Sequence, residues 1–228
     1  MEEIVSIIKR RNNSYENLKF VDIIKIVEIL SKIYDVYIDD VVFESDKNYL
    51  ICYDSDKNII CVDYNEFFSS GELIYNNYMM LFGLVHEIRH ALQYRFALCN
   101  DDIISKIYLD CFADLSKSII LSEAFYSRNH DFFPIEVNAD IVAYLFIIHV
   151  AYMIGDYKQV NMFKNMLNIR IRNISMENYD VVKCLSGKDI EKHLKEIDDY
   201  NLFINGLLRD EEKAGDIISS LTPNVNTR

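Results

Sequence analysis

Glycine and proline, the residues that most often interrupt helices and strands, are scarce in this chain: its 228 residues include 6 Gly and 2 Pro. Collagen-like, linker-rich and repeat-turn architectures are excluded, because each of them needs these residues in large numbers. Half of the residues are hydrophobic and 26% are charged, which is typical of a globular protein with a substantial core. Since no linker rich in Pro, Gly or Ser divides the chain, we expect one domain built from long elements.

Hydrophobic periodicity predicts a mainly α-helical chain with a small sheet in its N-terminal third. Apolar residues recur near helical spacing from about Glu16 to Tyr34. Three segments rich in β-branched and aromatic residues follow and are expected to form strands, the last two joined by a polar turn at 54–58: they are 36–43, 49–53 and 59–62. Further helices are predicted at 72–98, 103–126, 135–154, 157–169 and 189–208, followed by a flexible tail at 223–228.

The net charge and the cysteine pattern indicate which partners and which cellular compartment to expect. A formal net charge of -12 repels phosphate backbones, so nucleic acid is not an expected partner. The five cysteines form no CxxC pair, which indicates free thiols in a reducing compartment. The acidic start at 1–4 does not resemble a secretory signal, and the apolar stretch 141–154 is shorter than the roughly 20 residues of a membrane-spanning helix. We therefore expect a cytoplasmic protein that does not bind membranes.

An HExxH motif, His86-Glu87-Ile88-Arg89-His90, lies inside the predicted helix 72–98. Residues four apart lie on the same helical face, so both imidazoles can reach one metal ion. Zinc accepts neutral histidine nitrogen and favours a tetrahedral shell, and Glu87 lies where it can accept a proton from metal-bound water without binding the metal itself. The apolar residues 79–85 indicate a buried helix, in which histidine and glutamate need partners.

A catalytic zinc needs a third protein ligand, and we expect Glu136 to supply it. The metzincin pattern requires Gly and His at positions that hold Gln93 and Phe96 here, so that pattern is excluded. Glu136 and Asp140 lie four residues apart at the start of the next apolar helix. One carboxylate can bind the metal while Asp140 accepts the remaining N–H of a ligand histidine. Acids in a first helical turn also complement the helix dipole, an alternative that explains Glu136 better than Asp140.

Other residues are weaker candidates for the same site. His130 and His149 are alternative third ligands or oxyanion donors, although an isolated histidine is more often a packed or solvated residue. Asp110 and Asp114 also lie four residues apart, as exposed acids commonly do in an acidic chain. Among the 16 tyrosines, Tyr144 is our candidate oxyanion donor, because it lies two turns beyond Glu136 on a similar face.

The combined pattern resembles the gluzincin type of zincin metallopeptidase, in which HExxH is followed by a helix bearing Glu-x-x-x-Asp. The form Glu136-x-x-Ala139-Asp140-x-x-Ala143 is most similar to the small intracellular ImmA/IrrE-type peptidases. This resemblance covers roughly residues 36–154. Two features differ from that family: Arg89 stands where a small residue is common, and the span from the motif to Glu136 is longer than usual.

The resemblance implies an α+β, mainly α, zincin-like fold with a small β-sheet before the active-site helix and extra C-terminal helices. Because no linker divides the chain, we expect one domain at 1–222, with a core at about 36–154, a helical extension at 156–222, and a flexible tail at 223–228. The expected cofactor is Zn²⁺, which lowers the pKa of its water and polarises the scissile carbonyl. Glu87 then takes the proton during attack and returns it to the leaving amine.

The expected partner is a protein or peptide substrate whose bonds the chain hydrolyses. A non-catalytic zincin-like domain that binds a partner protein is the alternative, with a metal that is structural or absent. A third hypothesis is an all-helical interaction protein in which the HExxH pattern is accidental. The sequence leaves the substrate and the oligomeric state open.

Overall fold

The computed structural model describes residues 1–45, 49–69, 73–99 and 134–182. Within these ranges the chain is mostly helical and contains one three-stranded sheet, so the predicted α+β, mainly α, class is confirmed. The predicted helices at 103–126 and 189–208, and the predicted tail at 223–228, lie outside the described residues. No helix in the described part of the chain has both the length and the apolar character that crossing a bilayer requires.

The chain begins with two amphipathic helices, α1 (Glu2–Asn13) and α2 (Phe20–Tyr34). The sequence-based prediction missed α1, whose ends are matched to the helix dipole by acids in the first turn and arginines in the last. It also began α2 too early, at Glu16. The helix begins at Phe20 because the Asp22 carboxylate accepts the backbone N–H of Lys19 at 2.9 Å, which caps the first turn.

A buried ion-pair cluster joins α1 to α2. Asp22 is 4% exposed, and its two carboxylate oxygens accept hydrogen bonds from Arg10 at 2.8 Å and from Arg11 at 2.7 Å. Burial by itself would raise the pKa of Asp22. The hydrogen bonds from Arg11 and the Lys19 backbone, with the two positive charges, outweigh burial and hold that pKa below its ordinary value. The pair of helices is therefore fastened by a carboxylate that must stay ionised.

The sheet consists of β1 (Asp40–Glu44), β2 (Ile51–Asp54) and β3 (Ile59–Asp63), in the order β1-β3-β2. β1 pairs with β3 in parallel, and β2 and β3 form the predicted antiparallel hairpin. Its turn is stabilised by Asp54, whose Oδ1 accepts two backbone N–H groups at 3.1 Å. The first strand begins later than the predicted position 36, because the N–H of Val36 instead bonds to Ser31 at the end of α2.

After the short helix α3 (Tyr64–Phe67), two long helices form the centre of the molecule: α4 (Leu73–Cys99) and α5 (Pro134–Ile154). Both agree with the prediction to within one residue at each end. Gly155 then ends α5 with a φ of +84°, a conformation that glycine adopts without strain. The last described helix, α6 (Tyr157–Val182), extends well beyond the predicted end at residue 169.

Helix α4 is held in place from three directions. It packs against α5, α2 and α1, and it lies directly against the strand β2. A Cβ atom at Gly83 would lie 2.4 Å from Cδ1 of Ile51, so the side chain of Ile51 occupies the space that a larger residue at position 83 would need. On another side the fully buried Asn77 accepts the N–H of Leu18 at 2.8 Å and donates to the carbonyl of Glu16 at 2.9 Å. These contacts fix the helix that carries the HExxH motif.

Replacing Asp22 by asparagine should lower the free energy of unfolding at pH 7 by about 1.5–3 kcal/mol, as expected for hydrogen bonds to a charged group. Because the folded-state pKa lies below the ordinary value of 3.8, this stabilisation is present above that pH and is lost as pH falls through the folded pKa. Urea unfolding of the wild type and of Asp22→Asn between pH 7 and pH 2 should show that the difference between their free energies of unfolding becomes smaller in acid. The exposed Asp56→Asn is the control, and a pH-independent difference would contradict the assignment.

Candidate metal centre

The packing of α4 against α5 brings three ligand atoms together. His86 Nε2 lies 2.8 Å from His90 Nε2 and 3.1 Å from Glu136 Oε2, and the third side of this triangle, from His90 Nε2 to Glu136 Oε2, is 3.3 Å. A tetrahedral zinc with bonds of 2.0–2.1 Å separates its ligand atoms by about 3.3–3.4 Å. In the described part of the chain these residues are the one group of three His, Cys, Asp or Glu able to hold a metal.

The triangle is enclosed by protein rather than bathed in water. His90 and Glu136 are 6% and 7% exposed, and the side chain of His86 is 13% exposed. Burying a carboxylate and two imidazoles is costly unless their charges and lone pairs are matched. The burial of these three side chains therefore calls for a positive charge between them.

The outward ring nitrogens determine which atoms face the centre. His90 Nδ1 lies 2.8 Å from Oε1 of Gln93, and His86 Nδ1 lies 2.9 Å from Oδ1 of Asp140, although the His86 N–H is not aligned with that oxygen. A neutral imidazole that carries its proton on Nδ1 has its lone pair on Nε2. Both lone pairs then face the carboxylate of Glu136, so three electron-rich atoms converge, and these residues fit a divalent metal.

The electrostatics of the metal-free protein lead to the same conclusion. Burial by itself would lower the pKa of His86, but the carboxylates of Asp140 and Glu136 raise it to about 10. Burial likewise opposes ionisation of Glu136, yet hydrogen bonds from His86 and His90 hold its pKa well below the usual range. A proton is therefore retained at the point where the three ligand atoms meet. A metal ion would replace that proton and meet the same demand for positive charge.

Asp140 accepts contacts from two helices. Its Oδ1 lies beside His86, and its Oδ2 accepts a hydrogen bond of 2.6 Å from Nε of Arg170 on α6. The sequence analysis anticipated a contact between Asp140 and a ligand histidine, but it missed Arg170. That arginine lies just past the predicted end of its helix at 169, and no spacing rule connects it to a motif 30 residues earlier.

Glu87 lies on the side of α4 that faces β2. Its Oε2 accepts a 2.8 Å hydrogen bond from the backbone N–H of Tyr53. Gly83, one turn earlier, makes the close approach to the same strand, so strand and helix together orient this carboxylate. Burial raises the pKa of Glu87, an effect that the charges of His86 and His90 oppose without cancelling.

Tyr144 packs on α4 near the ligands. Its ring centroid lies 4.7 Å from that of Phe82, which in turn lies 6.0 Å from the ring of His86. Burial and the nearby Asp140 raise the pKa of Tyr144 to about 12, against the opposing charge of Arg170. A role for this hydroxyl as an oxyanion donor stays a prediction.

Among the alternative ligands, His149 is the one that the described part of the chain includes, and it is not part of the group. His149 lies on α5, where burial and the charge of the N-terminal amine lower its pKa. His130, Asp110 and Asp114 lie outside the described residues.

Two further residues at the site were not predicted to be part of it, although both lie in or next to the motifs. Gln93 is three residues beyond His90 and thus on the same helical face, a spacing that could have identified it. Asn138 lies between Glu136 and Asp140, and its Oδ1 accepts hydrogen bonds from Arg89 at 2.7 Å and from Gln93 at 3.1 Å. Both residues lie next to the ligand residues, and neither contributes one of the three converging ligand atoms.

Comparison of this chain with protein-family models, curated proteins and solved structures finds no match. Its function is therefore argued from the chemistry of the centre.

The wild-type chain should bind one Zn²⁺, and His90→Ala or Glu136→Ala should weaken that binding by more than about 100-fold, beyond the range typical of residues outside the ligand set. Competition with a chromophoric chelator measures the affinity. The control is His149→Ala, which removes a histidine of α5 that is not part of the group. If His149→Ala lost zinc and the other two variants kept it, the centre would be wrongly assigned.

Replacing Asp140 by asparagine should leave the chain folded and weaken zinc binding by about 10–100-fold, because the carboxylate that lies 2.9 Å from His86 Nδ1 is replaced by a neutral amide. The same chelator competition applies, with circular dichroism as the test of folding. The matched control is Asp40→Asn, an exposed acid at the start of β1. A zinc affinity equal to that of the wild type would mean that Asp140 pairs with Arg170 but does not support the binding of metal by His86.

Proposed function

We propose that this chain is a zinc-dependent metallopeptidase of the zincin type, which hydrolyses peptide bonds of a protein or peptide substrate. One observation carries the proposal: His86 Nε2, His90 Nε2 and Glu136 Oε2 converge, with every pair of atoms within 4.8 Å, and Glu87 of the HExxH motif is close enough to interact electrostatically with all three residues. Structural zinc sites are usually closed by four protein ligands. The three ligands found in the described part of the chain leave one position for water or substrate.

Nitrogen and oxygen ligands favour zinc among the common divalent metals, since Mg²⁺ and Ca²⁺ prefer oxygen alone. Bound there, zinc supplies Lewis acidity toward a carbonyl oxygen and lowers the pKa of a water molecule. His86, His90 and Glu136 hold the ion, while Asp140 and Gln93 hold the two rings. Burial keeps competing water away from these groups and strengthens their electrostatic effect.

Glu87 is the general base in this proposal. Because Tyr53 fixes Oε2, the other oxygen, Oε1, is the atom that we assign to the proton of the attacking water. The raised pKa of Glu87 suits a group that must first accept this proton and later return it to the leaving amine. A glutamine at this position would keep the shape of the side chain and lose that capacity.

The arrangement of elements is consistent with a zincin-like fold. Helices α1 and α2, the small sheet and the short helix α3 precede the helix that bears HExxH, and a second long helix carries the Glu-x-x-x-Asp pattern. The net charge of -12 disfavours nucleic acid as a partner. The free thiols of Cys52, Cys61 and Cys99 suit a reducing compartment, so we propose a cytoplasmic location.

Replacing Glu87 by glutamine should preserve folding and zinc content and reduce hydrolysis of an unstructured protein such as casein by about 100- to 10,000-fold, the usual contribution of a general base. Fluorescence of a labelled substrate measures the rate, and elemental analysis measures the zinc. The matched control is Glu66→Gln, an exposed residue of α3, which should hydrolyse at the wild-type rate.

Two outcomes would contradict the peptidase. Hydrolysis at the native rate by Glu87→Gln would exclude the mechanism. A zinc-loaded wild type that cleaves neither unfolded proteins nor extended peptides would favour the alternative, a metal-binding domain that docks a partner protein.

A further inference from the structure

The Nδ1 atoms of the two ligand histidines, which face away from the three converging ligand atoms, contact chemically different groups. His86 faces the carboxylate of Asp140, whereas His90 faces a neutral amide, Oε1 of Gln93 at 2.8 Å. The difference matters because an amide, unlike a carboxylate, presents either a donor or an acceptor depending on its orientation. The orientation of the Gln93 amide must therefore be fixed before Gln93 can determine which ring nitrogen of His90 carries the proton.

A chain of hydrogen bonds runs from Arg89 through Asn138 and Gln93 to His90, and each donor and acceptor in it can be assigned. A guanidinium only donates, so the Asn138 atom that lies 2.7 Å from Arg89 Nε must be the oxygen, Oδ1. The Gln93 atom that lies 3.1 Å from the same oxygen must then be the donor, Nε2. The amide is thereby oriented with Oε1 toward His90. Since Oε1 only accepts, His90 must carry a proton on Nδ1, which leaves its Nε2 lone pair for a metal.

The opposite tautomer has a strong competing partner. Glu136 Oε2 lies 3.3 Å from His90 Nε2, and a carboxylate is a better acceptor than an amide. Left to this contact alone, the ring would place its proton on Nε2, where a metal must bind. Gln93 offsets that preference from the other side of the ring.

We propose that Gln93 is a positioning residue that holds His90 in the metal-binding tautomer, and that Arg89 fixes the orientation of Gln93 through Asn138. The inference rests on the proposed metal site and adds a role for three residues outside the ligand set. It also assigns a function to Arg89, which stands where a small residue is common in the resembling family. Without Arg89, the Asn138 amide can rotate and the Gln93 amide can follow it, so that Gln93 presents its Nε2 donor to His90 and stabilises the wrong tautomer.

The primary test is Gln93→Met, which keeps the length of the side chain and removes the acceptor. Zinc affinity from chelator competition should fall about 10–100-fold. The Nδ1–H signal of His90, observed by ¹H–¹⁵N NMR in the zinc-loaded wild type, should disappear through exchange with solvent. Gln159→Met, which removes another buried glutamine, on α6, should change neither measurement. Unchanged affinity and an unchanged signal in Gln93→Met would overturn the proposal.

Two more variants separate positioning from packing. Gln93→Glu retains an acceptor for His90 Nδ1 but replaces the donor to Asn138 with a second oxygen, so it should keep the His90 Nδ1–H signal and lose less zinc affinity than Gln93→Met does. If it lost affinity as severely as Gln93→Met, Gln93 would act by packing, and the proposal would fail.

Arg89→Met leaves Gln93 in place and frees the amides, so it should weaken zinc binding by less than the loss of Gln93 does. An affinity equal to the wild type would overturn the role of Arg89. This variant also decides the question if Gln93→Met does not fold. Because zinc affinity is measured without any substrate, these results stand or fall independently of whether the chain is a peptidase.

Discussion

The contact between α4 and α5 is the constraint on which the rest of the centre depends. It confines two imidazole lone pairs and a carboxylate to distances of 2.8–3.3 Å inside the protein. Such a grouping is unfavourable without a positive charge at its centre, because each atom would otherwise repel the next. The contacts behind the rings, from Asp140 and Gln93, keep the lone pairs pointing inward. The hydrogen bond from the backbone of Tyr53 in β2 then holds the carboxylate of Glu87 near the ligand residues without making it one of the three ligands.

The centre also draws on elements that lie outside any single motif. The strand β2 supplies the N–H that holds Glu87, and Gly83 is the residue that lets that strand come close. Helix α6 supplies Arg170, which balances the negative charge of Asp140. The α1–α2 connection is fastened to α4 through Asn77. The geometry of three ligand atoms is thus maintained by contacts with most of the described structure.

The sequence predicted those parts of the site that local geometry determines. His86 and His90, and likewise Glu136 and Asp140, share a helical face by their spacing alone, whatever surrounds the helix. Arg170 could not be predicted, since its contact with Asp140 depends on how α6 packs on α5. The same holds for the parallel pairing of β1 with β3, because strand order is a tertiary property. Helix α1 was missed since its apolar residues form a narrow stripe among charges, which gains stability only by packing.

The separation of the ligands along the chain has a mechanical consequence. His86 and Glu136 are 50 residues apart, so an ion bound by both ties two distant segments together. Any ligand that binds only the folded form stabilises it by mass action, by about 2.7 kcal/mol when present at 100 times its dissociation constant. An ion bound in this centre would therefore stabilise the fold as a reversible cross-link between two distant segments, in addition to its chemical role. For the proposed metallopeptidase, the supply of metal would determine both the rate of hydrolysis and the time for which the folded chain persists against unfolding and proteolysis.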